Sequence, residues 1–225
     1  MSKVNPYRLS KRLQKIYFNQ RCRHYHFYYE HPNCFIKEVI EPMNNGLKEG
    51  YLDIETTGFE ADYHHILSYA IKVRGEKTVY TDCVTKEDLE SGIFDKRVVH
   101  QLIDDLQNFA VIYTYYGTMF DWRFARARAL YWKLPFPEFG YIKHKDLYYL
   151  TRNKLKLHRN TLEAATQFLG IKGKDHVEGE IWMKARIGDA KALEYVLKHN
   201  IKDVEILEKL HNRLENYDKG TLKSI

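Results

Sequence analysis

The stretch GYLDIETTG, residues 50 to 58, places two carboxylates, Asp53 and Glu55, inside an otherwise apolar run. Alternate side chains of an extended strand share a face, so these two point the same way, about 7 Å apart along the chain, while Leu52 and Ile54 point to the other. Two anions on one face repel unless a cation lies between them, and hard divalent ions such as Mg²⁺ seek carboxylate oxygens. The plain alternative is the solvated polar face of an edge strand. Thr56, Thr57 and Gly58 follow directly: small hydroxyl residues and a permissive backbone, where a nucleotide could come close.

Two further stretches carry acids of the same kind. In YTYYGTMFDWRF, Asp121 lies just past an apolar run, with Phe120 beside it and Gly117 available for a tight exit. A helix N-terminus favours such a carboxylate for purely structural reasons too. In HNIKDVEIL, His199 and Asp203 stand four apart and share a helical face, next to the apolar row Leu193, Val196, Leu197, Val204 and Leu207. A surface hydrogen bond would serve equally well there. Asp146, in KHKDLYYL, reads as support for a site or as a helix N-cap rather than a further ligand.

LDIETTG, YGTMFD and HNIKD follow one another in an order and at distances that resemble the DEDD (DnaQ-like) superfamily of 3′-to-5′ exonucleases, over roughly residues 50 to 212. LKLHRNTLEAATQFLGI and GDAKALEYVLKHNIKDVEIL are similar to its YprB-like branch of small stand-alone members. The resemblance implies a ribonuclease H-like fold and metal-dependent phosphodiester hydrolysis. It places Asp53, Glu55, Asp121 and Asp203 at the four metal-binding acids, holding two Mg²⁺ or Mn²⁺ ions. One ion would activate a water and the other would stabilise the leaving 3′-oxygen. It sets Thr56 and Thr57 beside the terminal nucleotide, with Phe120 wedged against a base.

Two positions depart from the family pattern. Tyr116 stands where the family usually has Asn. One branch has Tyr, three residues, then Asp; the other has His, four residues, then Asp; here His199 stands at the Tyr spacing. An imidazole, with an ordinary pKa near 6.5, is a better general base at neutral pH than a phenol near 10. His199 is thus a candidate to take the water's proton, with simple orientation or packing as the alternative.

The elements needed to present these groups can be read from turn signals and periodicity. Strands are expected at 51–56, 65–73 and 78–84 as an antiparallel meander, with RGEK between the last two. A helix through Val98, Val99, Leu102, Ile103 and Leu106 then leads to a buried strand at 109–116. A helix over 119–134, a strand running into a helix at 141–150, a helix capped by Asn160 with Glu163 and ended by Gly170, and a long helix from Asp189 to about Asn216 complete the chain. The fold class is α/β, a mixed sheet flanked by helices.

The length of 225 residues suits one main domain, placed at 46–225. Residues 1–45 form a separate N-terminal segment, reached through the loop EPMNNGLKEG. Residues 1–40 hold eight Lys and Arg against two acids, so the whole net charge of +6 sits there. Interleaved with aromatics, these cations suit single-stranded nucleic acid, while an amphipathic helix docked on the main domain is the other reading. Cys22, His24 or His26, His31 and Cys34 could supply a Cys₂His₂ set for a structural Zn²⁺. Histidines that simply pack or touch nucleic acid remain the alternative.

The odd cysteine count argues against a disulfide scaffold, and no stretch has the apolar length of a membrane span or a signal sequence. The expected setting is cytoplasmic. The expected partners are a DNA 3′ end, ahead of RNA, and a replication or repair protein. A non-catalytic nucleic-acid-binding protein and a structure-selective endonuclease of the same fold are the competing readings.

Overall fold

The structure is a computed structural model describing residues 4–9, 11–41, 46–173 and 177–218. A 3₁₀ turn (Pro6–Arg8), α1 (Lys11–Asn19) and α2 (Pro32–Phe35), which runs on into a π-helical turn (Ile36–Ile40), precede the sheet. Then follow β1 (Lys48–Thr56), β2 (Ile66–Val73), β3 (Val79–Cys83), α3 (Lys86–Glu90), α4 (Lys96–Leu106), β4 (Phe109–Thr114), α5 (Asp121–Tyr131), β5 (Lys143–Asp146), α6 (Leu147–Lys154), α7 (Leu162–Phe168), α8 (Gly179–Arg186) and α9 (Ala190–Leu214). A 3₁₀ turn (Glu215–Tyr217) ends the described chain. Among the described residues no helix is long and apolar enough to cross a membrane.

The five strands lie in the order β3-β2-β1-β4-β5. β1 to β3 form the expected antiparallel meander, and β4 and β5 add on parallel to β1. The sheet is therefore mixed, with β1 at its centre. That position excludes the solvated edge strand as the reason for two acids in β1.

β1 begins at Lys48, earlier than the expected residue 51, because Gly50 is a packing residue and not a loop residue. A Cβ there would lie 2.5 Å from the Phe109 ring and 2.9 Å from Ile71. The linker residues 42–45, where the segment boundary was expected, lie outside the described residues.

Strand alternation sorts side chains to two cores. Leu52 and Ile54 join Leu67, Tyr69 and Ile71 of β2 in a cluster with Val98, Val99, Leu102 and Leu106 of α4 and Phe124 of α5. Each of these fully buried aliphatic side chains contributes about 1.5–3 kcal/mol. On the other face Tyr51, Ala70 and Tyr113 pack against Val204, Leu207 and Leu210 of α9. Asp189 caps α9, its Oδ1 accepting the Ala192 N–H at 2.9 Å, as its sequence position implied. α7 is capped by Thr161, whose hydroxyl accepts the Ala164 N–H, and not by Asn160. The Asn160 carbonyl instead accepts the Tyr115 hydroxyl.

Candidate active site

Tyr51, Asp53 and Glu55 all face α9. The Tyr51 hydroxyl meets His211 Nδ1 at 2.8 Å, Asp53 Oδ2 accepts from Asn200 Nδ2 at 2.6 Å, and Glu55 Oε1 lies 3.8 Å from His199 Nε2. Moving along β1 from Tyr51 to Glu55 thus corresponds to moving back along α9 from His211 to His199. His199 and Asp203, one helical turn apart, turn to the same point, with Nε2 3.7 Å from Asp203 Oδ2. Glu55, His199 and Asp203 each bring one ligand atom within 4.8 Å of the others. Their side chains are only 16%, 11% and 10% exposed, so the cluster is recessed under the helix and little screened by water.

Asp53 stands beside this cluster and not in it, held by Asn200. Asn200 is fully buried, and its Oδ1 in turn accepts the Ser68 hydroxyl of β2 at 3.3 Å. No motif marks Asn200 in the sequence. Its signal was register: it falls between Val196 and Val204 in the buried row of α9, where a polar group needs a partner.

Asp121 reaches β1 from the first residue of α5. The β1–β4 ladder runs only as far as Tyr51. Beyond it the Ile54 N–H donates to Asp121 Oδ1 at 3.2 Å. Asp146 caps α6 through the Tyr148 N–H and also accepts the Tyr116 and Thr118 N–H groups, fixing the loop that leads to Asp121. In that loop Tyr116 has φ +66°, a left-handed conformation that Asn adopts far more readily than an aromatic residue. A Cβ on the neighbouring Gly117 would collide with the Thr114 side chain at 2.4 Å. The departure at Tyr116 therefore carries a backbone cost at the rim of the site.

Of the residues expected at a terminal nucleotide, the Thr56 hydroxyl donates to the Gly58 carbonyl at 2.6 Å. Thr57 is buried, and its hydroxyl accepts the His65 N–H at 3.1 Å, closing the loop that follows β1. Phe120 is half-buried and sits edge-on to the exposed ring of Phe59 at 6.3 Å.

A family model described as the RNase_H superfamily (RNase_H_2) matches residues 50–215, a span that contains all of these residues. The chain belongs to the RNase H superfamily. Among solved structures, this RNase H-like chain is similar to the family B DNA polymerase from the hyperthermophilic archaeon Pyrobaculum calidifontis. The TM-score is 0.63 at 18% identity, a level that shows the shared fold. The match covers 76% of the chain and 25% of the polymerase chain. No curated protein matches the chain.

RNase H-like nucleases generally use divalent metals, and the donor set here fits that use. Glu55 and Asp203 converge with hard carboxylate oxygens, the donors that Mg²⁺ and Mn²⁺ prefer. Asp121 is in the form a metal-free site would impose. Burial pushes its carboxyl up to about 7, although the N–H groups of Asp121 itself and of Ile54 pull it down.

This shift has a testable sign. Above its unfolded pKa and below about 7, native Asp121 holds a proton that the unfolded chain has released. Its contribution is therefore fully present below about pH 4 and is lost as pH rises through about 7, at up to about 1.4 kcal/mol per unit. Urea midpoints measured in EDTA from pH 5 to 8 should fall more steeply for the native sequence than for Asp121→Asn. Buried His65, His144 and His211, lowered by desolvation, cancel in that difference. Parallel curves would exclude a proton on Asp121.

Proposed function

We propose that the chain is a divalent-metal-dependent 3′-to-5′ exonuclease of the DEDD type, close to its YprB-like branch, acting on DNA ahead of RNA. The observation that carries this reading is the convergence of Glu55, His199 and Asp203 under α9, with Asp53 alongside on the same face of β1. Asp53, Glu55, Asp121 and Asp203 would hold two Mg²⁺ or Mn²⁺ ions, whose chemistry when bound is to activate water and neutralise charge on the phosphate.

The chain's own groups do the rest. Asn200 fixes the Asp53 carboxylate, and Asp146 shapes the approach to Asp121. His199 Nε2 faces both carboxylates and is placed to take a proton from the attacking water. Thr56 and the Phe59–Phe120 pair form a rim on which a terminal base can rest. A groove of about 900 Å³ beginning at Thr118 adds exposed Arg123 and Arg126 beside Trp122 and Phe136, the pairing of cations and rings that suits a single strand.

Incubation with 5′-end-labelled single- and double-stranded DNA and RNA tests this. With Mn²⁺ the expected product is a ladder shortening from the 3′ end, abolished by EDTA. Cleavage of a circular single strand would instead make it an endonuclease, and binding with no cleavage in any metal would make it a binding protein. His199→Ala is expected to lower turnover by about 10²- to 10⁴-fold and to remove the acidic limb of the pH–rate profile. An unchanged profile would reduce His199 to a packing role.

A further inference from the structure

Outside the sheet, a second cluster gathers in the basic N-terminal segment. Arg21 and Phe27 form an antiparallel bridge, closing a tight turn in which the Cys22 N–H donates to His26 O and the Tyr25 N–H to Cys22 O, both at 2.8 Å. Tyr25 takes φ +66° to complete it. The turn presents Cys22 and His24. His31 stands at the N-cap of α2 but makes no side-chain capping bond, and Cys34 lies in the first turn of that helix. Cys22, His24, His31 and Cys34 bring their ligand atoms within 4.8 Å of one another.

We propose that these four residues bind one structural Zn²⁺, which pins the hairpin turn to the start of α2. A tetrahedral zinc with bonds near 2.3 Å to sulfur and 2.0–2.1 Å to nitrogen spaces its ligand atoms about 3.4–3.8 Å apart. Cys34 Sγ lies 3.4 Å from His24 Nδ1, and Cys22 Sγ lies 3.9 Å from both His24 Nδ1 and His31 Nδ1. The sequence left His24 and His26 as equal candidates. The fold chooses His24, because the His26 ring lies against His31, with centroids 4.2 Å apart, and takes no part in the cluster.

The surrounding packing gives the metal a task. Among the described residues the apolar cluster of this segment is Leu13, Tyr17, Cys22, Tyr28 and Phe35, with six partly buried neighbours. Its cysteines form no disulfide, and the third, Cys83, is on β3. A segment as short as residues 1–45 with so small a core usually needs a metal or a cross-link to hold one structure. Zinc bound here contributes directly to folding. It would hold in place the exposed rings of Tyr25 and Tyr29 and the Arg21 guanidinium, which sits 4.1 Å over Phe27.

Elemental analysis of the full-length protein purified without chelators should give about one zinc per chain. Reconstitution with Co²⁺ should give a thiolate-to-cobalt charge-transfer band, which the sulfur-free Glu55–His199–Asp203 cluster cannot produce. Cys22→Ser with Cys34→Ser should lose the zinc and the band. Cys34→His should keep the metal and lose about half the band, which a protein that had merely unfolded would not do. His24→Ala should weaken zinc retention against a colorimetric chelator at least tenfold, whereas His26→Ala should not. Zinc-free protein that takes up neither Zn²⁺ nor Co²⁺, or equal zinc retention in the double serine variant, would overturn the site. Equal losses in the His24 and His26 variants would overturn the ligand choice.

Discussion

Asparagine at position 203 is expected to lower phosphodiester cleavage by at least about 10³-fold, about 4 kcal/mol of activation free energy, without lowering the melting temperature of the metal-free protein. Asn matches Asp in shape, so α9 keeps its packing against β1. What is removed is one of two carboxylates that share a recessed site with His199. Like charges in poorly screened surroundings repel, so their convergence costs the metal-free fold and is worth keeping only for a cation. Glu55→Gln should behave in the same way. In the native sequence Mn²⁺ should raise the melting temperature by mass action, and that increment should shrink in both variants. Calorimetry with and without Mn²⁺, run beside the labelled-substrate assay, checks both halves. Full activity in Asp203→Asn would remove Asp203 from the site, and inactivity through a collapsed melting temperature would make it a structural residue.

The candidate site was legible in the sequence to the extent that periodicity carries direction. Alternation put Asp53 and Glu55 on one face of a strand, and the four-residue step put His199 and Asp203 on one face of a helix, where the structure has them. Periodicity does not say what covers a face. The pair in β1 could have been the solvated face of an edge strand and instead lies under α9, which packs across that face and brings Asn200 and His199 onto the two acids. Asn200 was passed over because its partners, Asp53 and Ser68, are far away in sequence. α3 had a visible signal in Thr85 and Asp88, whose reciprocal capping box the structure contains, but its helix is only five residues long. α8 has only half-buried or exposed apolar residues besides Ala185, so its periodicity is weak.

No motif pointed to Asp95, yet its replacement by Ala is expected to be among the most damaging single changes, about 3–5 kcal/mol. Asp95 is fully buried and accepts four hydrogen bonds: Ile66 N–H at 2.9 Å, Arg128 Nε and Nη2 both at 2.8 Å, and Trp132 Nε1 at 2.7 Å. Truncation leaves Arg128, itself 5% exposed, as a buried charge without its counter-ion. Against a typical total of about 5–15 kcal/mol, that loss is about a fifth of the fold's stability or more. Asp95→Leu combined with Arg128→Met should recover much of it, since an apolar pair carries no desolvation cost. Urea unfolding of the two single variants and the double variant measures the coupling, and a loss under about 1 kcal/mol for Asp95→Ala would refute it. The effect should also reach the site. Arg128 Nη1 donates to the Ala61 carbonyl at 3.0 Å, within the loop that Thr57 closes after β1. The apolar pair restores packing but not this bond, so the double variant should remain impaired in cleavage after its stability has recovered.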